Sequence, residues 1–231
     1  MRILVMMAVL PAAILLFYIW RMDPVEKEPS SLLAKLLICG MLSTIPAVLI
    51  EIFGTGYLLD GQEPYNLETL LMDNFGIVAV TEECCKYAFL RHETWRNRSF
   101  DYVFDGIVYA VFVGLGFAIA ENITYVFSYG PDAAVTRAFT AIPGHAIFAV
   151  FMGYFYGRAK LAQVQERHIA QLWNGIWAIL APILCHGAYD TLASLAGVEH
   201  IFFLFLLIMV IIAMAITKHV SKRAERISEW Y

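Results

Sequence analysis

Charged side chains are scarce in this chain: only 16% of its 231 residues are Asp, Glu, Lys or Arg, against about 25% in an ordinary soluble domain. Hydrophobic residues make up 60% and mean hydropathy is +0.66, so too little polar surface remains to coat a soluble core. A soluble globular fold is excluded. No Lys/Arg-rich block interleaves with aromatics, which argues against a nucleic-acid partner. Cysteine is confined to Cys39, Cys84, Cys85 and Cys185, all inside apolar runs. That excludes a secreted disulfide framework and leaves them as small buried hydrophobes. The first apolar run, Ile3–Trp20, lacks an A-x-A-like cleavage site and reads as an uncleaved span, not a signal peptide. No internal repeat, low-complexity segment or soluble stretch divides the chain. It reads as a single integral membrane domain over residues 1–231.

What is present is a series of apolar runs, each near the roughly 20 residues that cross a bilayer as a helix. They fall at Ile3–Trp20, Leu32–Phe53, Asn74–Leu90, Tyr102–Phe127, Ala138–Tyr156, Leu172–Ala196 and Ile201–Thr217. The expected fold is an all-α polytopic transmembrane bundle of about seven spans, with eight allowed. Basic residues alternate across the connections. Of the 16, all but Arg2, Lys86 and Arg137 flank the first, third and fifth connections or lie in the tail. Asp60, Glu63 and Glu68 make the second connection acidic. The positive-inside rule then puts the N-terminus outside and the C-terminus in the cytoplasm of a cell-membrane protein. The stretch Gly61–Asp73 is too polar for lipid, although Leu67, Leu70 and Leu71 could line an interfacial helix. The third span is therefore started near Asn74, with a longer version from Leu67 left open.

The third span carries TEECCK: Glu82, Glu83 and Lys86. A charge at mid-helix costs about 2.5–3.5 kcal/mol on insertion scales. These three side chains must face the bundle interior, pair, or give up charge. Lys86 lies three and four residues beyond the glutamates, so it can neutralise one of them on the same helix face. A structural ion pair accounts for one Glu and the Lys, and leaves the second Glu unexplained. The fourth span adds Asp105 near its inner end and Glu121-Asn122 near its outer end. The fifth opens with Pro143-Gly144-His145, and the sixth carries His186 and Asp190, four residues apart on one face. An acid so placed can orient an imidazole and fix its tautomer.

Counting about 1.5 Å of rise per residue from the outer ends puts Glu82 at about 12 Å depth, His145 at about 10, His186 at about 15 and Glu121 at about 9. These groups share one layer in the outer half of the bilayer. Asp105, sixteen residues before Glu121, does not. Such a set can activate water in two ways. Glu82 can act as general base, beside Glu83, with His145 sharing the proton and His186 donating to an oxyanion. Alternatively His145, His186 and Glu82 bind zinc and the other Glu is the base. There is no H-E-x-x-H helix, and nothing in the sequence requires a cofactor, although Zn2+ is allowed. Cys185 points about 100° away from His186 on a helix, which disfavours a thiol mechanism. Gly153 and Gly157 form a small-xxx-small pair, and Gly114, Gly116, Gly144 and Gly187 favour close backbone approach.

Four motifs in order, TEECCK, FDGIVYAVFVGLGFAIAEN, PGHAIFAVFMGYFYGRAK and CHGAYD, resemble the PrsW family of bacterial intramembrane proteases. That family is similar in motif layout to the CAAX-protease and bacteriocin-processing superfamily. The resemblance implies Glu82 as the water-activating glutamate, Glu83 beside it, His145 and His186 as the catalytic histidines, and Asp190 at the superfamily's polar Asn/Asp position. Lys86, Glu121, Asn122 and Asp105 are supporting candidates. The superfamily often has an Arg after the glutamates, where this chain has Lys86 one position earlier. The implied partner is a single-span membrane protein, an anti-sigma factor, cut toward the outer side in a stress-response cascade. Two other functions compete. A CAAX-type prenyl-protein endopeptidase would act from the cytoplasmic side, against the depth estimate. A proton-coupled transporter would also need buried Glu, His and Lys, yet no pseudo-symmetric pair of broken helices is present.

Overall fold

The computed structural model describes residues 2–23, 25–59 and 66–227, and the acidic Asp60 and Glu63 lie outside them, as does the Gly61–Tyr65 part of the polar stretch. Among the described residues the chain is a helical bundle: α1 (Arg2–Met22), α2 (Ser30–Leu58), α3 (Leu67–Leu71), a π-helical segment (Met72–Ala79), α4 (Val80–Thr94), α5 (Val103–Tyr129), α6 (Pro131–Phe139), α7 (Ala141–Val164), α8 (His168–Ser194) and α9 (Glu199–Arg223). Six segments are long and apolar enough to cross a membrane. The helix that carries Glu82 is not one of them, because it is charged and passes through π geometry. It nevertheless packs between α2, α5 and α8, which compensates for what it lacks in hydrophobicity.

Of the two starts left open for the third span, near Asn74 or at Leu67, the structure has the earlier. Helix runs without a break from Leu67, nucleated where the Asn66 side chain accepts the Thr69 amide at 2.9 Å. The polar residues that argued against helix in lipid find partners inside the bundle. Thr55 donates to Asp73 at 3.2 Å, and Asn74 donates to Thr191 at 3.2 Å. The fifth span is likewise preceded by a separate short helix, α6, which begins with Pro131 in its first turn after the positive-φ Gly130.

At the centre stands α5. Apolar almost all round, it is the helix expected to be enclosed on every side, and it packs on α1, α2, α4, α6, α7 and α9. Its closest partner is α7, through a contact that glycine makes possible. A Cβ on Gly153 would collide with the Gly106 carbonyl and the Ile107 backbone, and one on Gly157 with the Val103 carbonyl. Van der Waals packing of bare backbones is the main attraction between helices in lipid. It fixes the height of α7, and so of His145, relative to Glu121 on α5.

Gly153→Val should therefore separate α5 from α7 and lower stability by about 1–3 kcal/mol or more. Gly175→Ala, where an added Cβ meets nothing within 4 Å, should be neutral. Thermal unfolding of the two purified variants in one detergent checks the contrast.

Candidate active site

The first turns of α4 point Glu82, Glu83 and Lys86 to one side, and all three are buried, Glu83 and Lys86 to within 2% of full enclosure. The Lys86 ammonium donates to Glu82 Oε2 at 2.9 Å and to Glu83 Oε1 at 2.8 Å. Both carboxylates are thus held by one cation, where sequence reasoning assigned it only one. Its remaining contacts are the face of Phe117, 4.0 Å away, and His145 Nδ1 at 3.3 Å. The π segment immediately before α4 sets this register. Such segments concentrate at functional sites because they rotate the residues that follow.

From the first turn of α7, His145 reaches across to α5. Since an ammonium can only donate, Nδ1 accepts from Lys86 and the proton lies on Nε2, which donates to Glu121 Oε2 at 2.8 Å. Glu121 also pairs with Arg137 of α6 at 2.8 Å, and Arg137 Nε donates to Asn122 Oδ1 at 2.9 Å. Asn122 is anchored in turn by donating to the Ala8 carbonyl of α1 at 3.0 Å. On α8, His186 stacks on Phe148 at 4.8 Å and faces a carboxylate through each nitrogen: Glu83 Oε1 at 2.9 Å from Nδ1, Asp190 Oδ2 at 3.2 Å from Nε2. Its Nε2 is 3.9 Å from Glu82 Oε2, and the two imidazole centroids are 5.5 Å apart.

Glu82, Glu121, His145, His186 and Asp190 all line one cavity of about 480 Å³, whereas Glu83 and Lys86 lie behind its wall. Asp105, Cys84 and Cys185 stay outside the cavity, the first as its depth and the last as its helix angle led one to expect, while Cys84 is not the buried residue expected. Asp105 is at the far end of α5 and caps it, accepting the Asp101 and Tyr102 amides at 3.0 and 2.7 Å. Cys84 is exposed on the outer face of α4, because turning Glu82, Glu83 and Lys86 inward turns Cys84 outward. Cys185 does not line the cavity. Two charged residues left unassigned by the sequence do line it: Arg137 and Glu51. Glu51 is a lone acid in the apolar second span, which is itself the signal of an intramembrane site. Its Oε1 is buried without a hydrogen-bond partner among the described residues.

The donors suit a divalent metal ion in kind. One ligand atom each from Glu82, Glu83 and His145 lies within 4.8 Å of the others, and carboxylate with imidazole is a zinc-type set. The trio differs from the one expected. Glu83 takes the place of His186, whose nitrogens are turned to Glu83 and Asp190. The ammonium of Lys86 bridges the three donors, so a metal ion fits there only when that side chain withdraws.

Buried glutamates and histidines from several helices around one intramembrane cavity fit the class of intramembrane proteases. The chain belongs to the PrsW family: the model described as "PrsW family intramembrane metalloprotease" matches residues 28–216. It is similar to Protease PrsW of Geobacillus kaustophilus, with 33% identity over 190 residues covering 82% of this chain and 79% of that protein. It is also similar to Protease PrsW of Oceanobacillus iheyensis, 33% over 180 residues and 78% of each chain. The same is true of Protease PrsW of Bacillus subtilis, 29% over 180 residues and 78% of each chain. No solved structure matches the chain.

Lys86→Met leaves two buried carboxylates without their cation and should cost about 3–5 kcal/mol. The double variant Glu83→Gln/Lys86→Met should recover part of that loss. Denaturation midpoints of the wild type, both single variants and the double variant measure the coupling.

Proposed function

We propose that this protease cleaves a single-span membrane protein, with Glu82 as the general base. The observation that carries the reading is that Glu82, alone of the two glutamates, opens onto the cavity beside both imidazoles. A water molecule held there gives its proton to the Glu82 carboxylate as its oxygen attacks the scissile carbonyl carbon. The developing oxyanion takes the His186 Nε2 hydrogen bond in place of Asp190 Oδ2, while Phe148 keeps the ring in position. Collapse breaks the C–N bond, and Glu82 returns the proton to the leaving amine. Glu83 holds His186 from behind. Lys86, His145 and Glu121 form a chain that sets the position of Glu82 against α5. Were the metal ion implied by the family bound, Glu82, Glu83 and His145 would hold it in place of the Lys86 ammonium, and it would supply the activation of water and carbonyl that Glu82 otherwise supplies as a base.

The substrate is a helix entering sideways from the bilayer, and the resemblance supports an anti-sigma factor. In a cell-membrane topology with the C-terminus in the cytoplasm, as the basic connections favour, the cavity lies in the outer half of the membrane and cleavage releases the outer part of the substrate. The whole chain, residues 1–231, serves as one protease domain.

Glu82→Gln should lower cleavage of a co-reconstituted single-span substrate by about 10²–10⁴-fold while expression and unfolding midpoint stay close to wild type. Cleavage retained by that variant would remove Glu82 from the reaction. Chelator treatment with metal analysis of the purified protein checks the metal ion. Loss of activity together with stoichiometric zinc is the expected result.

A further inference from the structure

A second buried acidic group lies at the other end of α5, outside the proteolytic machinery. Asp23 and Glu28, in the connection between α1 and α2, and Asp105, in the first turn of α5, each place a carboxylate oxygen within 4.8 Å of the other two. All three are buried, at 8%, 8% and 1% exposure. Glu121 is sixteen residues further along α5, or about 24 Å of helix, so this is a separate place in the fold.

Capping explains Asp105 and nothing else in the group. Asp23 Oδ2 is buried with no hydrogen-bond partner among the described residues. Lys27, close by in sequence, points its ammonium at the carbonyls of Trp20, Arg21 and Asp23, at 2.7, 3.3 and 2.9 Å. Tyr109 has one hydroxyl proton and two acceptors, Glu28 Oε2 at 2.6 Å and the Ser99 carbonyl at 2.9 Å. It cannot serve both. A positive species beside Glu28 would release that proton to Ser99.

We propose that Asp23, Glu28 and Asp105 form a binding site for a hard divalent cation of the magnesium or calcium class. Oxygen-only donors select such ions over zinc, which prefers imidazole and thiolate. The cation would clamp the first helical hairpin to the start of α5, where the chain's tail also docks. The Ile227 amide donates to the Asp101 carbonyl at 2.6 Å, Val103 to Glu225 at 3.0 Å, and the Ser221 hydroxyl to Met22 at 2.8 Å. Three separate parts of the chain therefore converge on the site.

Protons compete with cations for carboxylate ligands, so the test is run at pH 8. Full-length protein in detergent, stripped with EDTA, is titrated with MgCl2, CaCl2 and MnCl2. Thermal midpoints are followed, and bound Mn2+ is counted by electron paramagnetic resonance. The expected result is a saturable rise in the wild-type midpoint that Glu82→Gln retains. Asp23→Asn and Glu28→Gln should each lose one bound Mn2+ and most of the rise. In EDTA both variants should unfold at or above the wild-type midpoint, since each removes a mutually repelling charge, and that shows they are folded. No rise in the wild type, or equal Mn2+ binding and equal rises in the two variants, would overturn the site. So would stabilisation obtained only by lowering pH.

Discussion

One buried ammonium organises this protein. Lys86 is enclosed in an apolar bundle and bonded to Glu82, Glu83 and His145 at once, so charges that hydrocarbon would expel become the link between α4 and α7. Glu83 extends the link to α8 through His186, and His145 extends it to α5 and α6 through Glu121 and Arg137. Taking any one of these ions out of water costs several kcal/mol, and the cost is offset by pairing within α4 and by the partners that α5, α6, α7 and α8 bring to it. Polar bonding and glycine-mediated packing therefore specify the same arrangement: the Gly106–Gly153 contact sets the height at which the polar groups meet.

The same arrangement prepares the chemistry. Held between Lys86 and the cavity, Glu82 cannot rotate away from water, and His186 has a carboxylate on each nitrogen and a phenyl ring against its face. Little reorganisation is left for the reaction itself, which is the main source of catalytic power in preorganised sites. Lys86 also bears on the metal ion expected of this family, because it stands among the donors that would bind it. An ammonium and a divalent cation are alternative occupants of one place.

Much of this was legible in the sequence, for physical reasons. Apolar runs of bilayer length and alternating basic connections gave the helical membrane bundle, because lipid leaves the backbone few alternatives. The rise per residue put Glu82, Glu121, His145 and His186 in one layer, and all four line one cavity. Rise says nothing about rotation, so the sharing of Lys86 between two carboxylates and the turn of His186 toward Glu83 were not foreseeable. The start of the third helix stayed open between Leu67 and Asn74 because the stretch up to Asp73 looks unsuited to lipid until Thr55 is seen beside Asp73. Arg137 was read as a connection residue, since α6 is too short to announce itself. Glu51 carried a readable signal, an acid in an apolar span, that went unused.

The central claim is that the helix running through the π segment into α4 turns one face to a watery hollow inside the membrane and another to lipid. Val78 lines the cavity, while Val80, two residues on and at nearly the same depth, is 39% exposed on the outside of the bundle. The most direct measurement is the reaction of a membrane-impermeant charged thiol reagent with Val78→Cys and Val80→Cys. Both are made in a background lacking Cys39, Cys84, Cys85 and Cys185 and reconstituted in lipid. The account predicts rapid modification at position 78 and little at 80; equal protection of both, or reaction only at 80, would contradict it.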